Sequence, residues 1–277
     1  MFDFTSFLSG LAVILILAFA AWGSSLPRRD VSIVDSIWPL FFLAAAVTYA
    51  LTAPHAGPRA TLVLVLAAVW AIRLAAYLTW RNWGEPEDRR YRAIRSHYEP
   101  YFALKSLYLI FGLQGALAWI ISLPLLAAIA APTHFGLLDL AGVGLWTLGF
   151  GFESIADWQL ARFKAIPANH GRVMAQGLWR YTRHPNYFGD FCVWWGFYLL
   201  ASAAGGWWSI IGPLLMSLLL LKVSGVALLE RDIGERRPAY RDYVRRTNAF
   251  FPGPPKRLKE AVSAELALDK GHEGRGI

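Results

Sequence analysis

Long apolar runs separated by short polar segments dominate the chain. Seven of these runs have about the length that a helix needs to cross a bilayer, which is about 20 residues. A helix satisfies its backbone polar groups internally, as the interior of a bilayer requires. The pattern therefore predicts an all-α, polytopic membrane protein with seven transmembrane helices. The predicted spans cover residues 7–23, 33–53, 60–80, 104–130, 137–158, 188–206 and 207–229.

Basic residues fall almost entirely on one side of this predicted topology. If the N-terminus lies outside, the inner loops and the C-terminal tail contain nearly all the Lys and Arg of the loops, and the outer loops contain only Arg59. Because cytoplasmic loops are enriched in Lys and Arg, we expect an outer N-terminus and a cytoplasmic C-terminus. The first run lacks a basic start and a clear cleavage site, so it is predicted to be a retained span of an integral membrane protein, in a bacterial inner membrane.

Composition and charge agree with a membrane protein. Of 277 residues, 56% are hydrophobic and 17% are charged, and the net charge is +8. A basic cytoplasmic face beside anionic lipid accounts for this charge, so we expect contact with membrane lipid and no nucleic-acid partner. No obligate protein partner is expected either. Residues 1–258 form the predicted membrane domain, in which 81–102 is an amphipathic inner loop, and 259–277 form a polar tail.

Polar side chains recur in the inner halves of six predicted spans. Such groups are costly in a membrane unless they face protein, water or a ligand. Spacings of four residues place Arg73 with Tyr77, and Glu153 with Asp157, on shared helix faces. We therefore predict a cofactor cavity that is open to the cytosol; structural pairing between helices is the alternative. The polar residues are Asp35, Arg73, Tyr77, Gln114, Glu153, Asp157, Asn186, Asp190, Lys222 and Glu230.

The segment from Gly177 to Asp190 places several charged and amide groups at the start of an apolar run. Pro185 suits the first turn of a helix, and a helix N-terminus beside Arg183 and His184 favours anion binding. Arginine pairs bidentately with phosphate, so this segment is predicted to face the phosphates of a cofactor. The preceding loop adds Arg162, Lys164, His170, Arg172 and Tyr181.

Other chemistries find little support in the sequence. Cys192 is the single cysteine, so neither an intrachain disulfide nor a cysteine-based metal site can form. The six histidines never occur at a metal-ligand spacing such as His-x-x-x-His, so we expect no metal site. A glycine cluster around Gly142 and Gly144 lies inside a predicted span, where close helix packing is the favoured interpretation over a nucleotide-binding loop.

Residues 137–252 resemble the C-terminal half of the membrane steroid 5α-reductases and of related bacterial proteins, the DUF1295 group. A weaker match lies upstream at Leu113-Gln114-Gly115. The matching positions are Glu153 to Asp157, Lys164, Arg172, Gln176-Gly177-Leu178, the stretch from Tyr181 to Asp190, Glu230, Tyr240, Tyr243 and Phe250-Phe251-Pro252.

The resemblance implies an enzyme that binds NADPH within seven spans and reduces a carbon–carbon double bond conjugated to a ketone. Its expected substrate is lipophilic and steroid-like, a 3-keto-4-ene steroid that becomes a 5α-dihydro steroid. By resemblance, the cofactor contacts are Asp157, Lys164, Arg172, Arg183, His184, Asn186, Tyr187, Asp190, Glu230 and Tyr240. Arg73 and Tyr181 are added to this set as polar groups on the same predicted side.

The substrate side departs from the steroid enzymes, which hold the ketone with a Gln-Glu pair on the second span and a tyrosine on the third. Here the second span offers Asp35 with Trp38, and Trp70 occupies the place of the tyrosine. Burial raises the pKa of a carboxyl group, so a protonated Asp35 is the first candidate donor to the carbonyl oxygen. Helix capping is the alternative role for Asp35. The other catalytic candidates are Glu153 and Tyr77, and the predicted substrate contacts are Trp38, Trp70 and Gln114.

A second enzyme class shares part of the motif. The pattern Arg-His-Pro-x-Tyr before a span, followed by a later Glu and a Tyr-rich tail, also occurs in membrane methyltransferases that use S-adenosylmethionine, such as the isoprenylcysteine and phospholipid enzymes. Asn186 and Asp190 follow the reductase pattern, as do Lys164 and Arg172. The sequence therefore favours a reductase, with a methyltransferase as the alternative.

Overall fold

The computed structural model describes residues 2–54, 57–131, 134–223 and 239–256. All regular elements in these residues are helical, which confirms the predicted all-α class for this part of the chain. The predicted tail, 259–277, lies outside the described residues. The chain divides into two compact units: unit 1 comprises Met1–Thr147 and Val193–Met216, and unit 2 comprises Leu148–Cys192 and Ser217–Ile277.

Eleven α-helices account for most of the described residues, and short 3₁₀ or π-helical turns flank several of them. The α-helices are α1 (Phe4–Arg28), α2 (Ile33–Thr52), α3 (Pro58–Asn82), α4 (Arg89–Tyr98), α5 (Phe102–Ser106), α6 (Leu113–Ile121), α7 (Leu123–Ile129), α8 (Leu137–Lys164), α9 (Pro185–Ala203), α10 (Ile211–Leu218) and α11 (Ala239–Arg246). The π-helical turns are Leu107–Gly112 and Leu219–Val223, and the 3₁₀ turns are Pro167–Asn169, Gly177–Arg180 and Trp207–Ile210.

Four helical stretches in the described residues are long and apolar enough to cross a membrane. They are α1, α2, α3 and the run Phe102–Ile121. These stretches overlap the first four predicted spans and support a membrane protein. Helices α8 and α9 correspond to the next two predicted spans but are not among the four, and the seventh lies partly outside the described residues. The count of seven spans and their orientation stay predictions.

Local signals explain where the first helices begin and end. The carboxylate of Asp3 accepts the backbone N–H of Ser6 at 3.0 Å, which caps the otherwise unpaired first turn of α1. Helix α1 ends at Arg29, whose backbone adopts the left-handed conformation with φ of 50°. Pro58 begins α3, where its missing N–H costs no hydrogen bond.

The predicted fourth span is not one helix. We predict a continuous span over 104–130, but the structure ends α6 at Ile121 and begins α7 at Leu123. Pro124 has no N–H to continue the ladder of the preceding helix. The hydroxyl of Ser122 donates to the carbonyl of Trp119 at 2.7 Å, which stabilises the break.

A cluster of aromatic rings forms the centre of unit 1. Phe42, Trp70 and Trp194 are fully buried, and their ring centroids lie 4.5 to 5.7 Å apart. Trp38 packs edge-on against Phe42 at 4.8 Å. Edge-to-face pairs of this kind are worth about 0.5–1.5 kcal/mol beyond the area they bury. Trp70, a predicted substrate contact, therefore has a packing role in the core.

Buried opposite charges join α3 to α8 within unit 1. Arg59 is fully buried, and its Nε donates to the Asp139 carboxylate at 2.6 Å while Nη2 donates to the second oxygen at 2.9 Å. The same Nη2 also donates to the carbonyl of His134 at 2.9 Å. The one basic residue predicted for the outer loops is thus a buried structural group rather than a solvated charge.

Glycines bring helix backbones close together in α8 and α9. In unit 1, a Cβ on Gly142 would lie 3.0 Å from the carbonyl oxygen of Gly196. In unit 2, a Cβ on Gly189 would lie 2.5 Å from the backbone N of Glu153 and 2.6 Å from the carbonyl oxygen of Gly149. The close-packing interpretation is thus confirmed at Gly142, whereas a Cβ on Gly144 would meet nothing within 4 Å.

We expect Gly189→Ala to destabilise the protein by about 1–3 kcal/mol, because the added methyl group meets backbone atoms that cannot rotate away. Thermal unfolding of the purified protein in detergent measures the effect. Gly144→Ala is the matched control on α8, since a Cβ there meets nothing within 4 Å. Equal unfolding temperatures for the two variants would contradict the close packing.

Candidate functional site

The predicted site residues that the structure describes fall into two sets, one in each unit. Glu230, predicted to contact the cofactor, lies outside the described residues. Unit 1 contains Asp35, Trp38, Trp70, Arg73, Tyr77 and Gln114. Unit 2 contains Glu153, Asp157, Lys164, Arg172, Tyr181, Arg183, His184, Asn186, Tyr187, Asp190 and Tyr240.

A polar cluster in unit 1 surrounds the carboxylate of Asp35. Nη2 of Arg90 donates to Oδ2 at 2.7 Å, and the hydroxyl of Tyr91 donates to Oδ1 at 2.5 Å. Nε2 of Gln114 donates to the oxygen of Tyr91 at 3.0 Å. The indole N–H of Trp38 reaches the backbone carbonyl of Gln114 at 3.3 Å. Three predicted residues, Asp35, Trp38 and Gln114, are thus brought together around Tyr91.

Gln114 enters this cluster directly after a π-helical turn. The turn Leu107–Gly112 precedes α6, which starts at Leu113. A π-helical turn inserts a residue into the helical ladder and rotates the next turn of helix, and such turns are frequent at functional sites. A Cβ on Gly112 would lie 3.1 Å from the carbonyl oxygen of Leu107. The turn therefore sets the direction of the helix that carries Gln114.

Helix α4 presents Tyr91 and Arg90 to Asp35, and neither residue is among the predicted site residues. The carboxylate of Asp88 caps the start of α4 by accepting the N–H of Arg90 at 2.8 Å. Tyr91 is the buried residue of a helix that is otherwise rich in exposed charge. The sequence of 81–102 contains a signal for this placement: a capping aspartate, Asp88, is followed by the aromatic residue Tyr91 among several arginines.

Three polar contacts hold α4 and the two residues before it against the α1–α2 connection. Oε1 of Glu87 accepts the N–H of Val31 at 3.0 Å and pairs with Arg95 at 2.7 Å. The N–H of Asp88 donates to the hydroxyl of Ser32 at 2.7 Å, and Arg95 also donates to the carbonyl of Arg29. Burial alone would raise the pKa of Glu87, but the hydrogen bonds from Arg95 and Val31 and the charge of Arg95 together lower it.

The arrangement assigns different chemistry to Asp35 and Tyr91. Both oxygens of Asp35 accept hydrogen bonds, one of them from a guanidinium, so this carboxyl group acts as an acceptor in the cluster. Tyr91 is 7% exposed, and burial followed by the charge of Asp35 raises the pKa of its phenol. The phenol therefore keeps its proton at neutral pH and donates it in the hydrogen bond to Asp35.

Arg73 and Tyr77, the other predicted polar residues of α3, contact each other. The guanidinium carbon of Arg73 lies 5.5 Å from the ring centroid of Tyr77, and Arg81 approaches the same ring at 5.8 Å. These distances are typical of cation–π contacts. The predicted shared face of Arg73 and Tyr77 is confirmed, while their catalytic and cofactor roles stay predictions.

Unit 2 buries three carboxylates on α8 and α9. Glu153, Asp157 and Asp190 are 3%, 2% and 7% exposed. Nδ2 of Asn186 donates to Oδ1 of Asp157 at 3.2 Å, and Oδ1 of Asn186 accepts the N–H of Tyr187 at 3.1 Å. Buried carboxylates need hydrogen-bond partners, and the Asn186 amide is one such partner of Asp157.

Arg183 is held by the end of α11. Its Nη1 donates to the carbonyl of Val244, in the last turn of α11, at 3.2 Å and to the carbonyl of Thr247, the residue after the helix, at 2.7 Å. Its backbone N–H donates to the carbonyl of Asn248 at 2.9 Å. The guanidinium that we predicted to face phosphate thus caps a helix C-terminus, a position that favours cations.

The same segment anchors the residues that come after α11. The hydroxyl of Thr182 donates to the carbonyl of Phe250 at 2.7 Å, and the N–H of Gly253 donates to the carbonyl of Tyr181 at 3.0 Å. Tyr243 donates to the carbonyl of Trp179 and packs edge-on against Tyr240. Tyr240, predicted to contact the cofactor from the tail, is buried in unit 2.

Exposed basic residues precede this segment. Lys164 at the end of α8 and Arg172 in the connection to α9 are exposed, as is the predicted site residue Tyr181 in the same connection. The connection is fixed to α8, because the N–H of Leu178 donates to Gln159 and the indole of Trp179 donates to the carbonyl of Ala156, both at 3.0 Å. The cations are therefore carried by a segment with defined backbone contacts.

Two aromatic residues flank the first residue of α9. His184 is 5% exposed, and its ring stacks on that of Tyr187 with centroids 5.7 Å apart. Pro185 is the first residue of α9, as predicted from its fixed φ and missing N–H. Both His184 and Tyr187 thus pack within unit 2, and their predicted contact with a cofactor stays a prediction.

A sequence model of the DUF1295 family, which is described as a protein of unknown function, matches residues 21–247. An uncharacterized protein of Schizosaccharomyces pombe is 28% identical over 276 aligned residues, which cover 89% of this chain and 79% of the yeast protein. No solved structure matches the chain. The predicted membership of the DUF1295 group is confirmed, and the resemblance to steroid 5α-reductases stays a prediction.

Proposed function

We propose that this chain, which belongs to the DUF1295 family, is a membrane reductase that uses NADPH to reduce a conjugated enone in a lipophilic, steroid-like substrate. The observation that carries the proposal is the Tyr91 phenol held between Asp35 and Gln114. Reduction of an enone needs an acid that polarises the carbonyl oxygen, and a buried phenol that keeps its proton can supply it. Transfer of a methyl group to a carboxylate or an amine needs no such acid.

In the proposed reaction, the Tyr91 hydroxyl turns its single hydrogen from Asp35 to the ketone oxygen of the substrate, while Gln114 still donates to the phenol oxygen. NADPH, when bound, would supply the hydride that adds to the β-carbon of the enone. The Tyr91 phenol gives its proton to the ketone oxygen as electrons move onto that oxygen. When the enol becomes the ketone, a proton from solvent adds to the α-carbon and the enol O–H proton returns to Tyr91. Asp35 orients the phenol, and Arg90 neutralises the carboxylate. Asp35 is thus a positioning residue rather than the donor that the sequence suggested.

The donor and acceptor groups of unit 2 fit the chemistry of NADPH. Lys164 and Arg172 are exposed cations, and guanidinium and ammonium groups pair with phosphates. Asp157 and Asp190 offer carboxylate oxygens that accept hydrogen bonds from ribose hydroxyls. We assign the phosphates to the two cations and the ribose hydroxyls to the carboxylates.

Binding measurements separate this proposal from its rival. Purified protein is titrated with NADPH and with S-adenosylmethionine, and binding is followed by calorimetry. We expect NADPH to bind and S-adenosylmethionine not to bind. Loss of reduced-nicotinamide absorbance on addition of a 3-keto-4-ene steroid would support the enone reaction. Binding of S-adenosylmethionine without NADPH would replace the reductase by a methyltransferase.

We expect Arg172→Ala to weaken NADPH binding by about ten- to a hundredfold, because hydrogen bonds to charged groups contribute about 1.5–3 kcal/mol. Asn186→Ala should also weaken binding, since it removes the amide that fixes Asp157. Arg162→Ala is the matched control, because Arg162 is exposed and its guanidinium contacts the ring of Trp158 at 5.5 Å. Equal NADPH affinities for all three variants would show that the connection between α8 and α9 does not contribute to the cofactor site.

A further inference from the structure

A groove between α2 and α3 lies within unit 1, and its volume is about 770 Å³. Small and aliphatic side chains such as Leu40, Ile72, Ala75 and Ala76 form much of its lining. A volume of this size accommodates one ligand of sterol or drug size. Both helices are long and apolar enough to cross a membrane, so a ligand dissolved in lipid can reach the groove without passing through water.

One accessible hydroxyl marks the groove as more than an apolar surface. Ser36 lines the groove, and its hydroxyl makes no hydrogen bond to any described residue. The residue is 8% exposed, but its oxygen is not among the buried side-chain atoms that lack a partner, so the oxygen is open to the groove. A hydroxyl in an apolar environment is costly without a hydrogen bond, so Ser36 favours a ligand that exchanges one with it.

The two ends of the groove differ in polarity. Thr79, Trp80 and Trp83 line its end toward the C-terminus of α3, and Trp80 and Trp83 are 64% and 81% exposed. Indole rings favour the boundary between lipid and water, whereas Leu40 and Ile72 continue the groove further along the helices. The groove thus runs from an amphipathic rim into an apolar interior.

We propose that this groove binds a membrane-dissolved apolar molecule that carries one hydroxyl or carbonyl oxygen. The oxygen exchanges a hydrogen bond with Ser36, and the hydrocarbon body lies along Ile72, Ala75 and Ala76. An acyl chain of bulk lipid would fill the same apolar space but would leave Ser36 without a partner. Binding in the groove does not depend on the proposed reductase activity, because it uses none of the groups assigned to that reaction.

Photolabelling with a matched pair of probes tests the proposal. The probes are a long-chain ketone and the hydrocarbon of equal length, each with a diazirine, and the full chain is purified in lipid nanodiscs. We expect the ketone to label peptides of α2 and α3 with about fivefold higher affinity than the hydrocarbon, which is the effect of one neutral hydrogen bond. Peptide mass spectrometry locates the labels.

Two variants separate the hydrogen bond from the groove itself. Ser36→Ala should remove the preference for the ketone and leave hydrocarbon labelling unchanged. Ala76→Leu should block labelling of the groove by both probes, because the larger side chain fills the space. Ala20→Leu makes the same change at an exposed position of α1 and should leave labelling unchanged.

A ketone preference that survives Ser36→Ala, or equal labelling by the two probes in the unmodified protein, would overturn the proposal. Groove labelling that persists in Ala76→Leu would do the same. The Ser36→Ala variant tests the proposal even if the Ala76→Leu protein does not fold. Ser36→Ala removes a single hydroxyl that has no partner among the described residues, so this variant should fold normally.

Discussion

Tyr91→Phe is expected to slow reduction of a 3-keto-4-ene steroid by about 10²–10⁴-fold, the usual contribution of a general acid. The change removes one hydroxyl and keeps the ring, so helix α4 should stay in place. NADPH binding should be unchanged, because Tyr91 is not among the residues assigned to the cofactor phosphates and ribose. The measurements are the oxidation rate of NADPH in the presence of steroid and the affinity for NADPH in its absence.

Two further variants make this prediction specific. Tyr98→Phe removes a hydroxyl from the same helix and should leave the rate unchanged, since Lys105 bonds to the backbone carbonyl of Tyr98 rather than to its phenol. Asp35→Asn should slow the reaction less than Tyr91→Phe, because Asp35 orients the phenol and is not the donor. A normal rate in Tyr91→Phe together with a large loss in Asp35→Asn would return the donor role to Asp35.

The sequence predicts three residues of the cluster around Asp35 but not Tyr91. Asp35, Trp38 and Gln114 stand out because polar groups in apolar helices need partners, and the structure brings all three together. Tyr91 does not stand out, because it lies in a charged segment where a tyrosine is unremarkable. Its position depends on contacts between α4 and the α1–α2 connection, which are distant in sequence and leave no periodic pattern.

The sequence correctly predicts that a helix starts within the motif from Tyr181 to Asp190, but it does not predict the contacts of Arg183. Pro185 begins α9 as predicted. The sequence could not indicate that Arg183 caps α11, because the two segments are separated by about sixty residues. A motif that predicts ligand binding can therefore also contain residues, such as Arg183, that bind the C-terminal segment of the chain.

The predicted spans were most accurate where hydrophobicity was continuous. Helices α1, α2 and α3 match their predicted spans, since an uninterrupted apolar run is a strong signal. The run over 104–130 misled the prediction, because its composition is apolar throughout while Ser122 and Pro124 break its hydrogen-bond ladder. Hydropathy measures affinity for lipid and does not register such a break.

Arg59→Ala is expected to cause a large loss of stability, about 3–5 kcal/mol. It leaves the carboxylate of Asp139, which is 3% exposed, without the guanidinium that donates two hydrogen bonds to it. For a chain of this length such a loss lowers the unfolding temperature by roughly 5–10 °C. Thermal unfolding in detergent measures it, and Arg81→Ala, at an exposed position of α3, is the control with little expected change.

A double variant distinguishes two causes of the lost stability: the unpaired buried charge of Asp139 and the lost contacts of the Arg59 side chain. Arg59→Met with Asp139→Leu removes both charges and keeps apolar volume at the site. Replacing a buried ion pair by apolar residues is often neutral, because the cost of burying two charges disappears with their attraction. We therefore expect the double variant to recover most of the stability that Arg59→Ala loses. If the double variant were as unstable as Arg59→Ala, the contacts of Arg59 with His134 and Phe135 would carry the stability instead of the charge pairing.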